Sequence, residues 1–275
     1  MRNPTQGGSG RASNWGGAEP LRGSVVVENI IKPEWVWREP LYAAFLGFCL
    51  SMIGTSVGLF VFTEDASLAG VLFTTIAGVA FLNKIIIAVP GNSFWDRNQK
   101  LILIYGLFFF GVTLSYIFWY LILPPAASQF FFSKQIAVLS QPFATFSGFF
   151  SFPQATFLTI VANNLKIVMF VLILSLIYGS GAVMIITWNA SVLGIFIASF
   201  GKFTTFLAFV PHTSLEFLAF FCAAVAGTLM AISFDRAKVG TADWDRTISD
   251  ASILFILAVI FIVLGAMIET GLIAG

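Results

Sequence analysis

Seven long apolar windows constrain the fold of this chain more than any other feature of its sequence. They lie near residues 41–63, 67–90, 101–123, 160–187, 189–210, 213–234 and 251–273. A bilayer hydrocarbon core about 30 Å thick requires roughly 20 predominantly apolar residues per helix. Only 10% of the residues are charged, whereas soluble domains carry about a quarter. The sequence therefore predicts an all-α fold, a polytopic transmembrane helical bundle with about seven spans.

The division of one long apolar tract decides the number of spans. We expect Trp188 and Asn189 to mark the far end of the fourth span, and Asn189 to cap the N-terminus of the fifth,. The same tract also allows one full helix followed by a re-entrant piece. Six spans is therefore the alternative count.

The distribution of Lys and Arg predicts the orientation, because cytoplasmic loops are enriched in both. Cations precede the first apolar window, follow the second and follow the sixth, at Arg2, Arg11, Arg22, Lys32, Arg38, Arg97, Lys100, Arg236, Lys238 and Arg246. Seven spans place all of these positions on one side of the membrane. We expect a plasma-membrane protein with a cytoplasmic N-terminus and an external C-terminus.

Two segments differ in composition from the helical bundle. Residues 1–39 are rich in Gly and Ser and predict a mobile cytoplasmic tail before a transmembrane domain of residues 40–275,. Residues 124–159 contain four prolines and many phenylalanines, of which Phe143, Phe146, Phe149 and Phe150 recur at helical spacing. This segment is expected to lie on the external membrane surface, or to pack on the bundle as a hydrophobic lid.

Several classes of function lack support in the sequence. A net charge of +1 provides no basic field for nucleic acid, so no nucleic-acid partner is expected,. Cys49 and Cys222 lie in separate apolar windows, and the single histidine, His212, cannot complete an HExxH motif,. Phosphate-binding loops and nucleophile elbows are missing as well. We therefore expect no metal site, no cofactor and no enzymatic activity.

Small residues form one stripe on the first predicted span. Gly47, Ser51, Gly54 and Gly58 share a narrow helical face, and small residues allow close approach of two helix backbones in a membrane. This face predicts helix packing, within the bundle or between protomers, although chance spacing in a Gly-rich helix is an alternative. Gly179 and Gly181 are likewise candidates for a kink or for close packing.

Four polar residues are the strongest candidates for a functional site. His212 and Glu216 lie on the same helical face as Ala219 and Ala223, and a carboxylate facing lipid is costly, so this face should point into the protein. Asn163 and Asn164 lie at the start of another span that begins on the same side. We expect all four side chains to meet near the external boundary, as a polar site or as a pair that fixes helix register.

The C-terminal half resembles a known family. The segments FLTIVANNLKIVMF, YGSGAVMIITWNASVLG, PHTSLEFLAFFCAAVAG and AMIETGL are similar to successive motifs of the stage II sporulation protein M family in its archaeal-type form. They cover about residues 155–275, and the first three spans resemble the same proteins through less specific motifs. Thr213 departs from the family, which usually has Gly there. The matched positions are Asn163, Asn164, Gly179, Gly181, Trp188, Asn189, Gly194, His212, Glu216, Gly227 and Glu269.

The resemblance implies a membrane protein without an enzymatic activity of its own. In spore-forming bacteria the family member belongs to a membrane complex that remodels peptidoglycan during engulfment, with the enzyme in a partner. Our leading hypothesis is a noncatalytic integral-membrane scaffold or complex subunit, surrounded by the lipid bilayer and bound to a membrane protein partner or to further copies of itself. The alternative is a transporter or channel-like protein with a polar intramembrane site, and an intramembrane enzyme ranks third.

Overall fold

The computed structural model describes residues 33–62, 65–89, 93–140, 153–199, 203–236 and 240–274, with the backbone alone for 140, 153–156, 203–209, 235–236 and 272–274. Within these ranges the chain is helical and contains no strand, which confirms the all-α prediction. The helices are α1 Pro33–Arg38, α2 Leu41–Val61, α3 Ala66–Ala88, α4 Phe94–Ile122, α5 Pro125–Phe131, α6 Ser133–Ser140, α7 Pro153–Tyr178, α8 Val183–Ser199, α9 Phe203–Arg236 and α10 Ala242–Ala274.

Six of these helices are long and apolar enough to cross a membrane. They are α2, α3, α4, α7, α9 and α10, and α8 is a shorter apolar helix of 17 residues. At about 1.5 Å of rise per residue, α8 is roughly 25 Å long, near the lower limit for a span. The structure thus contains six long candidate spans and one short one.

Helices α7 and α9 run parallel to each other, which defines the path of α8 between them. Asn164 of α7 contacts Glu216 in the first half of α9. Further along both helices, Gly227 packs closely against Leu172 and Ser175. Because α7 and α9 run in the same direction, the chain must run back from the end of α7 to the end of the bundle at which α9 begins. Helix α8 provides this return.

The contacts of α8 show that it runs alongside α3 from near the middle of α3 to near its start. Its first residue, Val183, packs against Gly78 in the second half of α3. Gly194 packs against Thr113 and Tyr116 in the second half of α4, and Tyr116 in turn reaches the backbone of Ser67 at the start of α3. Helices α2, α3, α4, α7, α8, α9 and α10 therefore alternate in direction.

The structure divides the long apolar tract differently from the sequence prediction. Helix α7 ends at Tyr178 because Gly179 adopts a left-handed conformation, with φ of +67°,. The predicted spans 160–187 and 189–210 were therefore placed too far along the chain. Asn189 does not cap a helix: it lies inside α8, where its Nδ2 donates to the carbonyl of Ile185 at 2.8 Å. Trp188 also lies within α8 rather than at a helix end.

Helix α4 is central to the packing of the bundle. Its Tyr105, Phe108 and Tyr116 side chains are fully buried, and α4 contacts α2, α8 and α9. The aromatic ring of Phe109 lies 4.4 Å from that of Phe217 on α9, measured between ring centroids. Such contacts fill the interior with large apolar side chains.

The two compositionally distinct segments are partly helical. Residues 33–38, within the predicted tail, form α1, and Val36 is buried. Residues 1–32 lie outside the described part of the chain. Helices α5 and α6 pack on the bundle, because Phe132 between them is fully buried and Gln135 donates to the Ser191 hydroxyl. The described part of this segment thus packs as a lid, whereas Phe143, Phe146, Phe149 and Phe150 lie outside the described residues.

Candidate functional site

Helices α7 and α9 place Asn164 and Glu216 next to each other. The Nδ2 of Asn164 donates a hydrogen bond of 2.6 Å to Oε1 of Glu216. Both residues are partly buried between the helices. A hydrogen bond to an acidic group is stronger than one between neutral groups, particularly where water is sparse. The pair therefore links the first half of α7 to the first half of α9.

Helix α10 packs against this pair at Gly265. A Cβ atom at Gly265 would lie 3.3 Å from the carbonyl oxygen of His212 and 3.5 Å from Cγ of Glu216. Helix α10 therefore lies close to α9 at this level, with little room to spare for a side chain at Gly265. One helical turn further, Glu269 is near enough to Glu216 for the two carboxyl groups to interact electrostatically.

His212 lies one turn before Glu216 on α9 and is 5% exposed. Its backbone faces Gly265, as described above. The cluster formed by Asn164, His212, Glu216 and Glu269 is hereafter the polar cluster. Three helices contribute to it, and each contributes at least one residue at which the chain resembles the stage II sporulation protein M family.

Asn163 does not join the polar cluster. Its side chain is exposed, because consecutive residues of a helix point about 100° apart and Asn164 already faces α9,. Lys166 is exposed as well and lies one turn further on the same side of α7. The structure therefore separates the two neighbouring asparagines into an inward and an outward residue.

The glycines of the small-residue stripe pack inside the bundle. A Cβ atom at Gly54 would lie 2.7 Å from Oγ1 of Thr74 and 2.9 Å from the carbonyl oxygen of Gly70 on α3. Gly58 meets the backbone of Ala66, and Gly47 meets the backbone of Phe108 on α4. Ser51, on the same face, is buried. This face joins α2 to α3 and α4 and is not available to a second protomer.

Sequence reasoning missed a second polar group around the turn between α7 and α8. Oδ1 of Asn83 accepts hydrogen bonds from the backbone N–H of Ser180 at 2.7 Å and from its hydroxyl at 2.8 Å. The hydroxyl of Thr228 donates to the carbonyl of Gly179 at 3.0 Å. A Cβ at Gly181 would meet the carbonyl of Leu174. The signal in the sequence was Asn83 inside an apolar window, opposite a turn whose backbone needs partners.

A third polar group links the starts of α4 and α10. Arg97 forms an ion pair of 2.8 Å with Asp250, and Nδ2 of Asn98 lies 3.5 Å from the same carboxylate. Asn98 and Asp250 are both buried. A lone aspartate at the start of the last apolar window was the available signal, since a buried carboxylate requires a partner.

The polar cluster offers carboxyl, amide and imidazole groups within a predominantly apolar bundle. These groups can donate and accept hydrogen bonds between helices, and carboxyl and imidazole groups can exchange protons. Among the residues that the structure describes, no three His, Cys, Asp or Glu side chains are grouped closely enough to hold a metal ion. The structure shows one hydrogen bond between α7 and α9 in this cluster, with Glu269 of α10 close to the same carboxyl group.

Fold and site together define a polytopic α-helical membrane protein with polar contacts between its apolar helices. The family model for stage II sporulation protein M matches residues 48–272, which is most of the chain. The chain therefore belongs to the stage II sporulation protein M family. No curated protein and no solved structure matches it.

Proposed function

We propose that this protein is a noncatalytic integral-membrane scaffold or complex subunit, which associates laterally with other membrane proteins. The proposal rests on how little of α7 is buried within the protein. Only 22% of its apolar window is buried within the protein, compared with 67% for the window of α9. The first half of this uncovered helix also contains outward polar residues, described above. An interface with another membrane protein accounts for both features.

The polar cluster supports a role in packing. Asn164 binds Glu216 directly, and the backbone of α10 closes against His212 and Glu216 at Gly265. Polar side chains that bond across helices hold a membrane bundle in register. This arrangement favours a structural role over the alternative of a substrate path, because Asn163 points away from the other three residues.

The charge distribution supports a cytoplasmic N-terminus and an external C-terminus for this protein, whose membrane we propose to be the plasma membrane. The ion pair between Arg97 and Asp250 joins the starts of α4 and α10, so the cations that follow α3 and those that follow α9 belong to one side. Under the positive-inside rule this is the cytoplasmic side. If all seven alternating helices cross the membrane, the proposed orientation has the end of α10 outside.

Purification of the full chain in mild detergent tests the scaffold role. We expect a stoichiometric membrane protein partner or a homo-oligomer, which mass spectrometry and size-exclusion chromatography with light scattering would detect. Ala162→Trp and Ile173→Trp, both on the exposed side of α7, should reduce the association. Leu72→Trp on the exposed side of α3 is the matched control. Recovery of a monomer without a partner from every membrane preparation would contradict the proposal.

A further inference from the structure

Lys166 is a positive charge on the outer side of a candidate span. Its side chain is exposed, and it forms no hydrogen bond or ion pair with the residues that the structure describes. Asn163, three residues earlier, is exposed on the same side. Both residues would face lipid if the chain stood alone in a bilayer.

Lys166 lies near the middle of α7 rather than at either end. It follows Pro153, the first residue of the helix, by thirteen residues and precedes Tyr178, the last, by twelve. At about 1.5 Å per residue, these separations are roughly 20 Å and 18 Å. A lysine side chain extends by about 6 Å, and in a helix it leans toward the N-terminus. In a bilayer that covers the apolar length of α7, the ammonium group would still lie several ångströms inside the apolar layer.

The exposed side of α7 has the spacing of a helix interface. Ala162, Lys166, Met169 and Ile173 are all exposed, and they follow one another at intervals of four, three and four residues. This is the spacing at which one helix packs along another. The small Ala162 next to Asn163 permits a close approach at the level of the polar residues.

We propose that this side of α7 binds a transmembrane helix of a partner protein that carries Asp or Glu at the depth of Lys166. The inference rests on the proposed scaffold function and specifies the chemistry of its partner. A cation in the membrane requires a carboxylate or other strong acceptor, and an opposite charge on the partner helix supplies one. Asn163 then donates or accepts a second hydrogen bond across the same interface.

The charges of this chain argue against a second copy as the occupant. In a twofold dimer through α7, Lys166 would approach Lys166 of the other copy. The carboxyl groups at comparable depth, Glu216 and Glu269, lie in the polar cluster, and Glu216 already accepts from Asn164. A different protein with an acidic membrane helix therefore fits the surface better than this chain does.

Photo-crosslinking in native membranes tests the proposal. A photoreactive amino acid is placed at Met169 of the full chain, with Ile76 on the exposed side of α3 as the matched control. We expect the Met169 probe to crosslink to a membrane span containing Asp or Glu within about one helical turn of the crosslink. Lys166→Glu should lower the yield at least tenfold, and changing the partner's acid to Lys in that background should restore it. Lys166→Arg should retain the crosslink.

Three results would overturn the proposal: a crosslink to lipid alone, to a second copy of this chain, or to a partner helix without an acidic residue. Monodisperse elution of Lys166→Glu in detergent shows that the variant has folded. If it does not, Lys166→Leu replaces it, and an undiminished crosslink with Lys166→Leu also overturns the proposal. A stoichiometric partner recovered without a crosslink from α7 would leave the scaffold function intact while removing this interface.

Discussion

At the residue scale, Glu216 is the side chain through which α9 contacts both α7 and α10. Replacing it with Ala leaves the Asn164 amide without its acceptor, which costs about 1–3 kcal/mol for a buried group. Glu216→Gln keeps an oxygen that can accept from Asn164 and removes the interaction with Glu269. We therefore expect Glu216→Ala to lower the unfolding temperature in detergent clearly, and Glu216→Gln to stay close to wild type.

The matched control for Glu216 is Glu39→Ala, because Glu39 is an exposed glutamate outside the candidate spans. Its removal should leave the unfolding temperature within about 1 °C of wild type, as substitutions of exposed residues usually do. An unchanged unfolding temperature for Glu216→Ala would show that the bond to Asn164 contributes nothing to stability.

The polar cluster shows which part of a site can be predicted from one sequence. The shared face of His212 and Glu216, and the common side of the two helix starts, predict that α7 and α9 place polar groups at one depth. They do not specify whether Asn163 or Asn164 faces inward, because the rotation of α7 depends on its packing against α9 and α10. Gly265 was not part of the prediction either, because α10 contacts α9 there through its backbone rather than through a recognisable side chain.

At the element scale, the turn between α7 and α8 is held by one side chain from another helix. Asn83→Ala removes the acceptor for both the N–H and the hydroxyl of Ser180. A backbone N–H without a partner is costly inside a membrane bundle, so we expect a loss of about 1–3 kcal/mol in unfolding free energy. Hydrogen exchange at residues 179–183 should accelerate, whereas Asn163→Ala, an exposed control on α7, should leave that exchange unchanged.

The helix boundaries around this turn could not be placed from hydropathy. Residues 160–210 form one apolar tract. Trp188 and Asn189 are residue types often found at the ends of membrane helices, Trp at the membrane interface and Asn as an N-cap. The actual break occurs at Gly179, where a left-handed conformation requires glycine and Asn83 supplies the hydrogen bonds from a distant helix,. Hydropathy measures neither effect, although it located the other long helices well.

The packing of α2 yields a prediction that separates folding from association. Gly54→Ala places a Cβ 2.7 Å from Oγ1 of Thr74 and 2.9 Å from the carbonyl of Gly70, so α2 and α3 must move apart. Overpacking of this kind costs about 1–3 kcal/mol. We expect a lower unfolding temperature in detergent, with the same decrease at every protein concentration, because the contact lies within one chain.

Gly271→Ala is the matched control, since a Cβ at Gly271 meets nothing within 4 Å. It should unfold at the wild-type temperature or slightly above it, because Ala favours the helix over Gly. A loss of stability for Gly54→Ala that appears only at concentrations where oligomers form would place the stripe between protomers and contradict the packing seen in the structure.

At the scale of the whole molecule, the seven alternating helices and the positive-inside rule together predict which residues each side of the membrane exposes. Arg97 and Asp250 bring the starts of α4 and α10 together, and Gln135 on α6 reaches Ser191 on α8 near the opposite end of the bundle. Exposed positions near the Arg97–Asp250 pair and exposed positions near the Gln135–Ser191 bond should therefore be accessible from opposite sides of the membrane.

Single-cysteine labelling in intact cells measures this arrangement after Cys49 and Cys222 are replaced with Ala. We expect a membrane-impermeant thiol reagent to label Ser133→Cys, Gln154→Cys and a cysteine at the C-terminus. Gln99→Cys and Asp243→Cys should react only after the cells are permeabilised, because they accompany the cations that the positive-inside rule retains in the cytoplasm. Protection of the C-terminal cysteine together with labelling at position 154 would mean six crossings, and would require α8 to enter and leave the membrane on one side. Such a result would be difficult to reconcile with α7 and α9 running parallel, so this one pattern of labelling tests both the path of α8 and the orientation of the protein.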